Sequence, residues 1–372
     1  MKRIASLLSC AMCMASLIAQ NEYAFEKTYH TIDTTVAEGT LSLAVVNKNF
    51  FRNDEYFGDY VEGYTLPGYS IRPTLMYQVA PNVSLEAGAE LLQYGGEDKY
   101  DRVVPYLSAQ WQVCKNVRLT MGCIEGASRA GLSEAIYDDE HQLNMLPETG
   151  AQVHVRGEKL NFTLWMNWQQ FIKRFDTIPE RFMAGIALDY EPSNKQSEWR
   201  LSVPLRLTIS HIGGQISDYP ERMQSLANGS LALRVGRHFD NTFVRSLAFD
   251  MEGLFFYTMA GSDVRPFADG VALYPKVKID TKIFGASLGY YTAKNFFSLH
   301  GNPLFMSLSN YQDYYQAKRH MVTFEGHINH SIHRDVRFTI GAKGYFDTDA
   351  SAVEYWYAFA LVITPQWNII KR

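Results

Sequence analysis

The chain has 372 residues, with 35 Lys and Arg against 39 Asp and Glu, for a formal net charge of −4. That balance lacks the basic stripe of a nucleic-acid binder, and beyond the N-terminal segment no run of 18 apolar residues offers a transmembrane helix. A mean hydropathy of −0.20 beside 23 Tyr, 22 Phe and 6 Trp suits strands with one face in lipid and one face wet.

The chain opens as a secretory signal peptide, residues 1–19. Lys2-Arg3 precede an apolar run, Ile4 to Ile18, that is too short for a membrane span. A lipoprotein signal cleaved before Cys10 would leave only about six apolar residues, short of the usual hydrophobic region. Removing residues 1–19 takes away Lys2 and Arg3, which moves the net charge from −4 to −6. Residues 20–38 carry little pattern and read as a periplasmic lead-in, too short and polar to plug a bore. Residues 39–372 are expected to form the outer-membrane β-barrel.

The repeating unit is clearest at Val103–Ile124, VVPYLSAQWQVCKNVRLTMGCI. Pro105, Leu107, Ala109, Trp111 and Val113 alternate with polar residues, and a turn at Cys114-Lys115-Asn116 leads to Val117, Leu119, Met121 and Cys123. Each arm is about ten residues long, the length a tilted strand needs to cross a bilayer and about twice that of an ordinary strand. The turn places Cys123 opposite Ser108, and the odd spacing of Cys114 and Cys123 sends the two thiols to opposite faces, which excludes a disulfide between them.

The pattern predicts an all-β fold: a closed antiparallel transmembrane β-barrel of about sixteen strands, fourteen to eighteen being the bounds. The strands are expected near 40–50, 68–79, 83–94, 103–113, 117–125, 148–156, 160–170, 181–191, 199–211, 229–239, 244–257, 270–279, 282–293, 319–330, 336–345 and 353–367. Short turns alternate with long connections, the longest being Phe51–Pro67, Gly126–Pro147, Ile212–Asn228 and Lys294–Lys318. Short turns are assigned to the periplasm and long loops to the cell exterior. An even strand count leaves no unpaired edge in lipid. Trp111, Trp168, Trp199 and Trp367 all fall on apolar faces near strand ends, where an aromatic belt meets the headgroups.

The polar parity assigns the inner wall. Arg72, Glu90, Arg206, Arg234, Asp250, Glu252, Glu325 and His327 face inward near mid-height. Glu86, Arg118, His154, Arg156, Arg200, Lys276, Lys278 and Arg337 face inward nearer the short turns. So many ionisable groups demand either water or mutual pairing. Arg72, Glu90, Arg206, Arg234, Asp250, Glu252 and Glu325 are the expected pore-lining set.

Sixteen strands and an acidic third long loop, Gly126–Pro147 with Glu134, Asp138, Asp139 and Glu140, resemble the general porins of Gram-negative outer membranes. The Pro-Glu-Phe-Gly-Gly loop signature and a terminal aromatic residue are absent. The resemblance implies an inward-folded constriction loop, with Asp138, Asp139 and Glu140 opposite Arg72, Arg206 and Arg234. It also implies passive diffusion of small polar solutes, with the outer-membrane bilayer and further copies of the chain as partners. A closed barrel serving as a structural or partner-binding anchor is the alternative, for which the aromatic loop Lys294–Lys318 speaks.

Catalytic and cofactor motifs are missing from the sequence. There is no Gly-x-Ser-x-Gly, no His-Glu-x-x-His and no phosphate loop. His327, His330 and His333 are spaced by three, which on a strand sends successive rings to opposite faces. Asp189, Asp250 and His154 do not assemble into a site by spacing. The sequence therefore predicts no enzyme, no cofactor, no metal and no nucleic-acid partner, and leaves an outer-membrane hydrolase as the least favoured reading.

Overall fold

The computed structural model describes residues 28–370 apart from 145, 195, 241 and 310–313. The signal peptide and residues 20–27 of the lead-in lie outside the described residues. The first half of the sheet comprises β1 Leu41–Glu55, β2 Thr65–Ala80, β3 Val83–Tyr94, β4 Arg102–Cys114, β5 Val117–Ile124, β6 Glu148–Arg156, β7 Leu160–Gln170 and β8 Glu180–Tyr190. It continues with β9 Trp199–Gly213, β10 Gln224–His238, β11 Val244–Ala260, β12 Asp269–Thr281, β13 Gly285–Lys294, β14 Lys318–His333, β15 Val336–Asp347, β16 Ala352–Ile363 and β17 Gln366–Ile370. Each expected strand is present.

From β1 to β16 every strand pairs antiparallel with its neighbours in sequence, and β1 closes the sheet against the C-terminal end. Asn47–Glu55 pair with β16 and Leu41–Ala44 with β17. These two segments are therefore one strand broken at Thr364-Pro365, and the barrel is sixteen strands around. Pro365 has no N–H to give the ladder, and its carbonyl accepts from the Val45 N–H at 3.1 Å.

The faces divide as the alternation requires. Trp111, Trp168, Trp199 and Trp367 are all exposed on the outer surface, between 39 % and 57 %. They join Leu107, Met121, Leu164, Leu231, Phe249, Val277, Leu288 and Phe324 in an apolar outer wall. The charged side chains lie on the other face. Trp165 and Trp356, at 1 % and 2 % exposure, are buried inside.

Two details depart from the expected register. Ser108 pairs with Gly122 and not with Cys123, because the ladder shifts by one residue between Gln112 and Cys114. Gly122 then adopts φ +91°, a left-handed backbone that a side chain resists. The apolar face turns there, so Cys123 is buried instead of meeting lipid. Both cysteines are free, Cys114 exposed and Cys123 buried.

The hairpins also run further beyond the wall than the alternation indicated. β1 reaches Glu55, and β9 and β10 stay paired out to Ile212 and Gln224. Residues beyond the apolar belt no longer need to alternate, so periodicity undercounts them. Glycine matters at the wall in one further place: an added Cβ at Gly185 would sit 2.3 Å from the Trp165 ring. That glycine makes room for the buried indole.

The outer wall can be tested by charge. Phe249→Arg should lower barrel stability by about 2–4 kcal/mol, as for a cation on the lipid face near mid-height. Denaturant unfolding in lipid vesicles measures it. A change within about 0.5 kcal/mol, typical of a water-facing site, would remove this face from lipid.

Candidate functional site: a bore filled by its own loops

Segments before β1, between β5 and β6 and between β13 and β14 enter the barrel, and Tyr60 of the β1–β2 connection packs with them. The first is the lead-in, which the sequence reading left outside. The Arg72 guanidinium donates to the Thr28 carbonyl and pairs with Glu90 at 3.2 Å. Its face lies over the Tyr106 ring at 4.3 Å. His30 Nδ1 meets the Glu86 carboxylate at 2.8 Å, and the Ile32 N–H donates to Gln110 Oε1 at 2.9 Å. A polar strap needs polar holders, and Arg72, Glu86 and Gln110 on β2, β3 and β4 supply them.

The second is Gly126–Pro147, which reaches across to the far wall. It contains one 3-10 turn, Ala127–Arg129, and one four-residue helix, His141–Asn144. The Ala127 and Ser128 N–H groups both donate to the Glu148 carboxylate at 2.9 Å. Ser133 Oγ donates to Glu252 at 3.2 Å on the far wall. Glu134 is the centre of the loop. It pairs with Lys343 and accepts from the Tyr345 hydroxyl at 2.5 Å and from Asn302 Nδ2 at 2.9 Å.

The third is the β13–β14 connection, 295–317. A bridge between Tyr137 and His300 ties it to the second loop. Its Phe296, Phe305, Asn302 and Ser307 show no exposure at all. Phe305 packs edge-on to Tyr291 at 4.9 Å and to Tyr345 at 5.8 Å. Phe296 and Phe305 thus pack into the barrel, whereas Tyr315 is exposed; Tyr311 lies outside the described residues.

The sequence-predicted lining residues all face this packed interior, each beside a partner. Arg206 pairs with Asp189 at 2.7 Å and donates from Nε to the Gly131 carbonyl of the second loop at 3.2 Å. Arg234 and Lys278 share Asp250, at 3.2 and 2.8 Å. Glu252 takes Lys276 at 3.1 Å, and Glu325 takes Lys343 at 3.5 Å. Arg72 holds Glu90, as above.

The expected cross-bore pairing is corrected by these distances. Arg72, Arg206 and Arg234 are each paired with a strand carboxylate, so Asp138, Asp139 and Glu140 do not face them as partners. Glu140 accepts from the Tyr64 hydroxyl and from Asn144 at 2.6 Å. Asp138 accepts from the Glu140 N–H at 3.0 Å. Burial pushes the Asp138 carboxyl up to about 7, against the pull of Arg52 and with Glu134 adding to the rise. Burial and Glu134 push Asp139 up to about 8, against the pull of Lys343. The wall cations that act on the carboxylates of this loop are Arg52 and Lys343, neither of them in the expected pore-lining set. Lys343 had the right parity, but its outer-half position gave no signal of what would reach it.

Packing leaves little space at this level. A cavity of about 20 Å³ lies against Arg52, Asp139 and Trp356, and one of about 40 Å³ against Arg72, Tyr137 and Glu148. Toward the short turns the bore opens into spaces of about 460 and 560 Å³ on the lead-in.

A second polar grouping lies on the outer surface, near the long-loop end. Trp168, Phe182, His211 and Ser225 are opposite one another across β7, β8, β9 and β10. Trp168 stacks on Phe182 at 5.4 Å and Phe182 on His211 at 4.9 Å. His211 Nδ1 lies 2.8 Å from Ser225 Oγ. The sequence reading placed Ser225 in a loop and so missed the pair. No group of three or more His, Cys, Asp or Glu suited to a metal occurs among the described residues.

A sheet closed without an edge, apolar outside and ionised within, defines an outer-membrane β-barrel of Gram-negative type. A family model described as lipid A 3'-O-deacylase-type matches residues 32–372, and the chain belongs to that family. No curated protein matches it. Among solved structures it is similar to OprD of Pseudomonas aeruginosa, with a TM-score of 0.53 at 12 % identity over 91 % of this chain and 99 % of that one. It is also similar to OccAB4 of Acinetobacter baumannii, with a TM-score of 0.51 at 9 % identity over 90 % of this chain and all of that one. A third is OccK2 of Pseudomonas aeruginosa in complex with glucuronate, TM-score 0.51 at 8 % identity, again 90 % and 100 %. At these identities the likeness is one of fold.

The latch on the second loop has a measurable weight. Lys343→Met leaves Glu134 and Glu325 buried without their shared cation, a change of about 3–5 kcal/mol for a broken buried pair. Backbone hydrogen exchange should accelerate across 127–144 while the strands stay protected. Unchanged exchange in that loop would mean that the pair does not hold it.

Proposed function

We propose that this protein is an outer-membrane channel for small polar solutes whose resting state is closed by its own loops. The observation that carries the proposal is the chemistry of the filled bore. A wall meant only to be packed would be apolar, since replacing a buried ion pair by apolar side chains is often neutral or stabilising. Here Arg206, Arg234, Asp250, Glu252, Lys276, Lys278, Glu325 and Lys343 line a width of sixteen strands, enough for an aqueous passage once loops withdraw. The fold-similar OccK2, with glucuronate bound, fits a barrel of this width handling polar solutes.

Planar-bilayer recordings test this reading. Wild-type protein should give rare, brief openings, and replacing residues 128–146 by a short Gly-Ser linker should give large, stable conductance steps. A loop-deleted barrel that migrates as folded on heat-modifiable gels and passes no current would leave the closed anchor as the reading.

A second reading rests on the His211–Ser225 pair and on the family. In a lipid A 3'-O-deacylase-type chain, a serine hydroxyl beside an imidazole on the outer wall has the parts of a nucleophile and its base. Its substrate would be an acyl ester of lipid A presented from the outer leaflet. Incubation with lipid A vesicles should then release fatty acid, and Ser225→Ala should abolish the release without altering barrel folding. Equal release by the variant and wild type, or none by either, removes this pair from catalysis.

A further inference from the structure

The short-turn mouth is divided by the lead-in into two spaces of opposite charge. The space of about 460 Å³ is lined by Asp33 and Asp335 and by no Lys or Arg. The space of about 560 Å³ is lined by Lys115, Arg118, Arg156 and His154 and by no carboxylate. Both lie within the roughly 300–1,000 Å³ of ordinary small-molecule pockets.

The second space is built from one row of the sheet. Gln112, Arg118 and His154 are opposite one another across β4, β5 and β6. Lys115 and Asn116 come from the β4–β5 turn directly below, and Arg156 follows His154 on the same face. Arg118 is only 5 % exposed. It uses one terminal nitrogen on Glu125 at 2.7 Å, while its Nε has no hydrogen-bond partner among the described residues. His154 Nδ1 lies 2.9 Å from Thr163 Oγ1; its buried Nε2 has no hydrogen-bond partner there, its nearest carboxylate being Glu125 at 3.8 Å. A guanidinium N–H buried without an acceptor is costly, and Glu125 is the one carboxylate that both Arg118 and His154 approach. Three cations stand around the space against one neighbouring carboxylate, Glu125, which is already engaged.

We propose that this cationic vestibule binds a small oxyanion, either a carboxylate or a phosphate, with Arg118 Nε and Arg156 as its main donors. Carboxylates and phosphates both offer pairs of oxygens spaced to meet the guanidinium fork, and charge-assisted bonds of this kind are about twice as strong as neutral ones. The site names the solute class and the place where it would pause, and so deepens the channel reading on which its physiological use rests. Binding itself does not require conduction. Thr31 and Thr34 of the lead-in complete the lining, so the strap is part of the site as well as its partition.

Isothermal titration of the detergent-refolded full-length barrel tests it at about 20 mM salt, where screening is weak. Succinate and inorganic phosphate are the two probes, with a neutral sugar as control. Saturable heat with either anion and none with the sugar is expected, and the two probes separate carboxylate from phosphate as the ligand chemistry. Arg156→Gln, whose side chain is exposed at the rim, should weaken binding at least tenfold. Arg118→Gln with Arg156→Gln should abolish it, and Lys282→Gln on another short turn should leave it unchanged. Heat-modifiable migration checks that each variant is folded. Absent or sugar-like heat in the wild type, or affinity unmoved by Arg156→Gln, overturns the site. Anion binding by a barrel that never conducts would sink the channel and keep the site; conduction without binding would do the reverse.

Discussion

Inside a lipid bilayer no water is present to satisfy a peptide group, so every N–H and C=O in the wall must find its partner within the chain. That constraint decides the rest of this molecule. β1 carries it most visibly, because it bonds β2 along one side and β16 with β17 along the other. The break at Pro365 is tolerated because β1 pairs on both sides of it, and because it lies next to the short turns, where water returns. Closure at sixteen strands then fixes a bore too wide to be filled by wall side chains alone.

The bore must therefore hold water or be filled from elsewhere, and here loops and the lead-in fill it. What they bring is mixed. Phe296, Phe305 and Ile136 add apolar mass, while Glu134, Asn302 and Ser133 bring hydrogen-bonding groups to meet Lys343, Tyr345 and Glu252. Glu134 stands where both loops and β15 converge. A carboxylate with a cation, a phenol and an amide around it is satisfied in one arrangement only, so the polar contacts set the seating that greasy contacts alone would leave free. The same interdependence makes the filling cooperative, since withdrawing one member leaves the others unpaired in a low-dielectric space.

Much of the wall was legible because lipid enforces a period of two. Strand positions, the outward tryptophans and the inward set from Arg72 to Glu325 follow from parity alone. The register at Cys123 was not legible, since a shift at Gln112–Cys114 and a left-handed Gly122 leave hardly any trace in hydropathy. Nor were the partners of the acidic loop. Parity gives the face of Arg206 or Lys343 but not what a long loop will bring to it, and strand neighbours such as Asp189 and Asp250 claimed the arginines first. Asp189 was one of three residues that spacing could not assemble into a site. Its role here is to hold Arg206, which a distance could reveal and a spacing could not. His211 and Ser225 were hidden for a different reason: their hairpin extends past the apolar belt, where alternation stops marking strands.

The two functional readings occupy opposite faces of one wall. His211 and Ser225 point outward on β9 and β10, while Arg206 and Arg234 point inward from the same two strands. A strand's alternation keeps these sets apart, because no side chain can serve both faces. Selection can thus adjust the bore without touching the outer row, and the outer row without touching the bore. That independence accounts for a chain whose family is described by an acyl-ester chemistry and whose fold is shared with OprD and the Occ barrels. Fold follows from the ladder and the lipid; function follows from which face carries the reactive residues. In this protein the inner face carries ionised groups that pair mostly along the wall itself, with the inserted segments meeting them at Lys343 and Glu252.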